Sequence, residues 1–502
     1  MYPPGDIIIV RDGGLNLPLE AASRPLVVGG CPLGTANTLY WLTGSQNIVS
    51  ELGRSPATEM LAPIAASGGA LFLCTATTTA GSVGTPDVTR VGTSTGTITY
   101  GSNLPNNGYR IRVRITTTGT LGAGRFQYAL DGKNTTEATG WSPNYTIPSG
   151  GTFALPETGA TAATPITLTF VPGGGAVYFE ADDIHRADCV APHYTTADLT
   201  AAFAVLLAQL GSTRPERIMF SGVNATASTA ITLAAAVAGH LDDLFTAKRF
   251  ARAVIDGGSM DTVANFRTAI ASFTDDRVAL VWDPITTSAG CRISSKLPFA
   301  GWSEPVVPAV NAIAERFART ELSESLMRVK SGALRGVMAI GNDEGANAQF
   351  TAEDRIITLR RHDNYAGFFA TQSFIRSAPT SDFRTLEWGC VLDKICQIVH
   401  DNLTQWIGAN LRALTDGTGY LAEEEAKRVE ALVNDQLREQ LLKPPNIEGE
   451  NGHVSGVSYT VTRTNNYLST GEIYGYATAV PMRPVEGLIT TVALSTALPT
   501  GV

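Results

Sequence analysis

Charge is scarce in this chain. Only 17% of its 502 residues are Asp, Glu, Lys or Arg, against about 25% in an average soluble domain. A surface that poor in charge suits an assembly better than free solution. The net charge is -9 and no run of Lys and Arg occurs, so the basic footprint of a nucleic-acid binder is missing. Long apolar runs are missing too. The longest candidate, Ala227–Ala238, is interrupted by Ser228 and Thr229 and falls short of the roughly 18–20 residues of a membrane span. The first residues lack a basic start and an apolar signal core, so synthesis inside the cell is expected. The six cysteines (Cys31, Cys74, Cys189, Cys291, Cys390, Cys396) include no CxxC pair, which reads as reduced, mostly buried thiols. Cys390 and Cys396 are six apart in a helical segment and so face different ways. Cys31, just after a predicted strand, and Cys74, within another, can be neighbours. No repeat recurs at a fixed period.

Catalytic and cofactor motifs are equally sparse. No GxxxxGK[ST] occurs, which removes a Walker-type phosphate loop. Gly29–Gly34 follows a strand but lacks dinucleotide-fingerprint spacing, and Pro32 interrupts its backbone donors. A tight turn is expected there. The densest set of possible metal ligands is Asp182, Asp183, His185, Asp188, Cys189 and His193. Closeness in sequence does not make ligands converge, and a polar linker is the expectation. The string Gly92–Gly96 (GTSTG) matches a nucleophile elbow in letters only, because no helix signal follows it. Ser221 follows a strand, but His240 sits on a predicted helix with no argued proximity. The expectation is therefore no catalytic residue, no cofactor and no metal.

What is present is length and apolar content. A chain of 502 residues at 44% hydrophobic has room for about three domains. The predicted fold class is an α/β core, a sheet with flanking helices, carrying an inserted all-β domain and extended terminal β arms. Strands are predicted at 25–30 and 70–75, with helical stretches at 46–53 and 58–67. Residues 82–181 are dense in Gly and Thr; Ile111, Val113 and Ile115 alternate with Arg110, Arg112 and Arg114, as in a half-buried strand. Further strands are expected at 126–130, 166–170 and 176–180, giving a small sandwich or barrel. From 182 to 340 strands alternate with amphipathic helices, the pattern of a parallel sheet covered on both sides. Asp198 is the expected cap of the first of these helices. Residues 341–484 hold two strand-like segments, long helices over 382–408 and 421–442, and a hairpin over 456–480.

The two ends stand out. Ile7, Ile8, Ile9 and Val10 follow a Pro pair at the start; Leu488, Ile489, Val492 and Leu494 lie in an almost uncharged stretch at the end. Both segments, within 1–20 and 485–502, read as extended strands without a turn returning them to a partner of their own. Exposed apolar strands need covering or pairing. They either fold back as edge strands or complete sheets in neighbouring copies. Gly13, Gly14 and Gly487 beside them are hinges or ordinary turn glycines. Arg360, Arg361, His362, Arg376 and Arg384 oppose an acidic helix bearing Glu423–Glu425, Glu430 and Asp435. These charges form local ion pairs or set register with a neighbouring subunit.

The order of elements resembles the tail sheath proteins of contractile-tailed bacteriophages. Residues 2–53 are similar to the sheath opening, in which a PG-containing β arm precedes a buried strand, a Gly-rich turn and a helix ending in Leu-Gly, here Leu52-Gly53. GALFLCT at 69–75 resembles the strand that follows. The β-rich stretch 82–180 resembles the outer domain many sheaths carry, and 364–408, with Arg384-Thr385 opening a long helix, resembles their C-terminal core. The hairpin and final strand at 456–502 complete the pattern. The resemblance implies a non-enzymatic structural subunit of a virion tail, made in the bacterial host cytoplasm. It implies a homo-oligomer, a helical polymer of hexameric rings around a tail tube protein, with baseplate and tail terminator proteins as partners and neither nucleic-acid binding nor membrane insertion. Contraction would drive the tube through the host envelope for genome ejection. A phage-derived injection particle fits equally. Two other readings stay open: a soluble α/β enzyme with its ligand at the ends of the parallel strands, and a tail adhesin binding through 82–180.

Overall fold

The computed structural model describes residues 23–482 except 43–47, 102–103, 133–139, 157–165, 175–177, 210–213, 222–225, 259–260, 287–289, 379, 382 and 443–451. They divide into two units: one within Met1–Arg319 and Val329–Arg384, the other within Thr320–Arg328 and Thr385–Val502. The residues expected to form both terminal arms, and Gly13, Gly14 and Gly487, lie outside the described residues.

The first unit opens with β1 (Ser23–Gly30), β2 (Thr38–Leu42), helix α1 (Ile48–Leu52), helix α2 (Pro56–Ala66) and β3 (Ala70–Thr75). Leu26, Val27 and Val28 are all fully buried, as expected of a strand covered on both faces. Ser55 caps α2 through a reciprocal bond pair with Thr58, and Pro56 occupies the first turn, where a missing N–H costs nothing.

An all-β body follows: β4 (Ser82–Val83), β5 (Asp87–Thr89), β6 (Thr97–Tyr100), β7 (Arg110–Thr117), β8 (Arg125–Ala129), β9 (Tyr145–Thr146), β10 (Thr152–Ala154), β11 (Thr167–Val171) and β12 (Ile184–Val190). One sheet runs β10-β11-β6; the other runs β4-β12-β7-β8-β9, with β5 also on β12. Ile111, Val113, Ile115, Phe126 and Tyr128 share an apolar core with Ile98, Leu168 and Phe170. Thr79 and His193 bond to each other through both backbone groups (3.2 and 3.0 Å) where the chain enters and leaves.

Three expectations are corrected in this body. The segment containing Asp182–His193 is not a linker: Ile184–Val190 is β12, paired to β4, β5 and β7. Arg112 is not on a solvated face; it is buried and bonds Asp188 at 2.8 Å. The described part of 176–180 forms no strand, only a bridge from Phe179 to Gly119.

The chain then continues through α3 (Thr196–Ala208), β13 (Arg214–Phe220), α4 (Ala227–Thr246), β14 (Arg252–Asp256), α5 (Val263–Ile270) and β15 (Val278–Val281). The helix cap at α3 is Thr195, with Asp198 answering it from the third helical position; a Thr-x-x-Asp box outcompetes Asp198 alone because it satisfies two orphan donors. The main sheet has order β15-β14-β13-β1-β3-β2. Five strands are parallel and β2 is antiparallel at the rim. One face packs Leu26, Val28, Leu73, Ile218 and Leu280 against Phe203, Val237 and Phe266 from α3, α4 and α5. The other packs on α2 and α6 (Val310–Arg319). Short pairs β16 (Arg292–Ile293) with β17 (Val337–Ala339), and β18 (Leu359–His362) with β19 (Tyr365–Ala370), complete this unit. The whole is mixed α/β with several sheets.

The second unit contains α7 (Leu386–Thr404), α8 (Glu423–Leu437), β20 (Val454–Val461), the short α9 (Tyr467–Thr470) and β21 (Gly475–Pro481). Val391, Ile395 and Ile398 of α7 meet Ala426, Val429, Val433 and Leu437 of α8, and both meet Val454, Tyr459 and Val461 of β20. The helical 3–4 spacing seen in the sequence therefore marks the buried stripe.

His185 of β12 carries a testable consequence. It is buried beside Phe179, and its Nε2 has no hydrogen-bond partner among the described residues. Burial, helped by the Arg90 charge and opposed by Asp183, pushes its pKa down to about 4. The unfolded chain takes up this proton below about 6.5 and the native chain only below about 4, so stability falls as pH drops through that window. The full difference is about 3 kcal/mol. In urea unfolding at pH 7 and pH 4.5, wild type should lose more stability between the two pH values than His185→Leu; equal losses would refute the assignment.

Candidate functional site

The second unit holds the feature with most capacity for binding: a hairpin with one rim met by α8 and the other unpaired among the described residues. Helix α8 begins at Ala422, which supplies no side-chain cap. Glu423, Glu424 and Glu425 fill its first turn, where the helix dipole favours carboxylates. Glu423 takes Arg463 at 2.7 Å, and Glu424 and Glu425 take Arg412 at 2.9 and 3.1 Å. Arg463 also reaches Glu430 at 2.7 Å and holds that carboxyl below its usual range. Glu423, Glu424, Glu425 and Glu430 are thus engaged in local ion pairs.

Further along α8, side chains act as a strand. Asn434 donates Nδ2 to the Tyr459 carbonyl (2.9 Å) and accepts the Tyr459 N–H (2.7 Å). Glu430 accepts the Val461 N–H at 2.7 Å. The outward backbone groups of Tyr459 and the outward N–H of Val461 on β20 are therefore occupied by α8. In an antiparallel pair, residues facing each other turn their backbone groups the same way, both inward or both outward. Tyr459 lies opposite Ala477, Val461 opposite Gly475 and Val457 opposite Ala479. The N–H and C=O groups of Gly475, Ala477 and Ala479 consequently point away from β20, along the free rim of β21.

No strand pairs with that rim among the described residues. Tyr476 is 58% exposed and Val480 61%. The hairpin is nonetheless fixed in place. Trp388 of α7 donates Nε1 to the Met482 carbonyl at 2.8 Å, and Ser458 and Thr478 hydroxyls meet at 2.8 Å across the strands. A Cβ at position 475 would lie 2.2 Å from the Tyr459 hydroxyl, so glycine there lets the Tyr459 ring cross under the strand. An exposed, immobilised strand rim can accept an added strand through main-chain bonds.

The other sequence-predicted sites resolve differently. Asp183 accepts from Val91 N–H and the Ser94 hydroxyl, Asp188 pairs with Arg112, and His193 Nδ1 lies 3.3 Å from the Ala191 carbonyl. Among the described residues no group of three or more His, Cys, Asp and Glu side chains is placed to hold a metal. Ser94 sits in an irregular segment just before β6, with a strand and no helix after it. His240 stacks on Phe203 and meets Thr200 at 3.3 Å, while the Ser221 carbonyl takes the Tyr194 hydroxyl. Arg376 donates to the Ile270, Phe273 and Asp354 carbonyls, and Arg361 lies over Phe368. Asp283, just after β15, accepts the Gly341 and Asn342 N–H groups, and burial pushes it up to about 6. Sequence reasoning missed the β20 closure. Its one signal was Glu430 and Asn434 four apart on the flank of an otherwise apolar helix stripe.

No described helix is long and apolar enough to cross a membrane. No curated protein matches the sequence. Among solved structures, the chain is similar to a sheath tail protein from Desulfitobacterium hafniense, at 15% identity and a TM-score of 0.42, covering 92% of this chain and 98% of that one. It is also similar to a chain of the anti-feeding prophage baseplate, 6-fold symmetrised (14% identity, 61% and 76% covered, TM-score 0.39). The same holds for the contracted-state baseplate (12% identity, 60% and 76% covered, TM-score 0.40). Residues 8–374 match DUF2586, N-terminal domain, and the chain belongs to that family.

Proposed function

We propose that this protein is a structural subunit of a contractile tail sheath. Subunits polymerise as a helix of hexameric rings around an inner tube, and contraction drives that tube through a bacterial envelope. The observation that carries the reading is the open β21 rim at Gly475, Ala477 and Ala479, on a hairpin whose other rim is closed by Asn434 and Glu430. A rim left open on an anchored hairpin is an acceptor for a strand from outside. The sequence supplies two such donors, Ile7–Val10 in the segment 1–20 and Leu488–Leu494 in the segment 485–502.

In this reading each terminal arm extends to a neighbouring copy and adds a strand to its hairpin. Gly13, Gly14 and Gly487 let the arms leave the body. The α/β stretches around the parallel sheet form the body of the subunit, and the all-β insertion, which runs through β12, faces outward. Energy for contraction is held in a metastable packing and released by rearrangement between two arrangements. Tube, baseplate and terminator proteins are the remaining partners. The scarcity of charge, at 17% of residues, favours a surface buried in such a lattice.

Two substitutions on one strand test the acceptor. Ala477 points its N–H outward, so Ala477→Pro removes no ladder bond and should shift stability by less than about 1 kcal/mol. Thr478 points inward to Ser458, so Thr478→Pro should cost about 3 kcal/mol. Equal costs in urea unfolding would refute the assigned rim. Negative-stain electron microscopy of the concentrated chain should show hollow striated cylinders. Both Ala477→Pro and a variant lacking residues 1–12 should stay folded and fail to form them. Cylinders that persist in both variants would sink strand exchange as the link.

A further inference from the structure

The loop after β1 brings two thiols together that the assembly reading does not use. Cys31 lies one residue past β1, and Cys74 is the fifth residue of β3. Gly29 is the register partner of Cys74 across the parallel pair, and the loop closes over it with the Asn37 N–H on the Cys74 carbonyl at 2.8 Å. The two sulfurs stand 3.2 Å apart. Cys74 is fully buried and Cys31 is partly exposed. Room for the pair comes from Gly34: a Cβ there would lie 2.3 Å from the Cys31 sulfur and 3.1 Å from the Cys74 sulfur. The remaining cysteines, Cys189, Cys291, Cys390 and Cys396, are also free thiols.

We propose that Cys31 and Cys74 are a redox staple: a dithiol in a reducing cytosol and an intrachain disulfide in an oxidising medium. The sulfurs need approach by only about 1 Å to reach bonding distance. The exposed Cys31 thiolate attacks a disulfide oxidant of the glutathione class and forms a mixed disulfide, releasing one oxidant thiol. Cys74 then attacks the Cys31 sulfur and expels the second thiol. In sum two protein S–H bonds become one S–S bond, and one oxidant disulfide is reduced to two thiols. The two sulfurs share one S–H···S hydrogen bond in which either can donate, so the pair loses its first proton as a unit and the charge sits on the exposed Cys31 when the remaining proton sits on Cys74. The link would tie β1 and the loop 31–37 to β3 at the strand ends. It goes beyond the sheath reading and does not depend on it.

The full chain, purified under reduction, is equilibrated in oxidised and reduced glutathione, then denatured in excess alkylating reagent and mapped by non-reducing peptide mass spectrometry. A Cys31–Cys74 linked peptide is expected, with native circular dichroism kept and Cys189, Cys291, Cys390 and Cys396 alkylated. Cys31→Ser should abolish the link and leave Cys74 alkylated. Wild type in which Cys31 is recovered only alkylated or only as its glutathione adduct would overturn the proposal. So would a link that forms only when native circular dichroism is lost.

Discussion

Main-chain donors and acceptors along the rim of a sheet need partners, and this chain meets the need in a different way at each rim. At β15 the neighbouring segment closes the edge: Trp282 N–H reaches the Ile357 carbonyl and Ile357 N–H reaches the Leu280 carbonyl, both at 2.9 Å. At β20 the closure is made by side chains, since Asn434 offers one donor and one acceptor in the arrangement of a peptide group. At β2 no strand pairs with the outer rim among the described residues. Beside it Arg24 of β1 lies 4.5 Å over the half-exposed Trp41 ring and bonds the Gly68 carbonyl. Among the described residues the β21 rim has small residues, no charge and no paired strand.

Within the first unit, buried carboxylates do the joining. Glu59 of α2 takes the Trp302 indole N–H at 3.0 Å and the Ser295 hydroxyl at 2.8 Å. Asp131, next to β8, takes the Ser303 and Glu304 N–H groups at 3.2 and 3.1 Å. Trp302 meanwhile packs edge-on to Tyr109 inside the core of the all-β body. One stretch, 295–304, is therefore held by α2 from one side and by the all-β body from the other. Hydrogen bonds to charged groups contribute roughly 1.5–3 kcal/mol each, and leaving such an acid unpaired costs more than the bonds return. These acids, together with the narrow connection at Thr79 and His193, hold the body against the parallel sheet.

The alternation of strands and helices was legible because burial leaves a periodic trace. Leu26–Val28, Leu71–Leu73 and Val278–Val281 are continuous apolar runs, and the α7 and α8 stripes recur at helical spacing. β2 escaped notice: Thr38–Leu42 is short, and its exposed Trp41 sits beside the buried Leu42, so no clean period of two appears. β12 was misread because its polarity is paired internally. Asp188 answers Arg112, and neighbouring Asp183 answers Ser94; a sequence shows the charges without showing that they meet. The rim assignment at β20 and β21 was illegible for the same reason, since it depends on which backbone groups α8 reaches. The arms expected from composition fall outside the described residues.

The chemistry of the β21 rim also bears on what kind of strand suits it. Along the rim the residues whose backbone points outward are Gly475, Ala477 and Ala479, all small, and their side chains lie on the Tyr459 face of the hairpin. Tyr476, Thr478 and Val480 occupy the opposite, solvent-facing side. A strand added here would meet little bulk on the first face and two large apolar side chains on the second. Cross-strand contacts with residues such as Tyr476 and Val480 are worth roughly 0.2–1 kcal/mol each, while on the first face the Tyr459 ring already fills the room beside Gly475. A β-branched run such as Ile7–Val10 presents bulk to both faces in either register, because every position is branched. Main-chain bonds then supply most of the affinity and are indifferent to the orientation of the bodies they connect. A link of that kind can persist while the bodies on either side of it rotate, which is what a lattice that changes shape without dissolving requires.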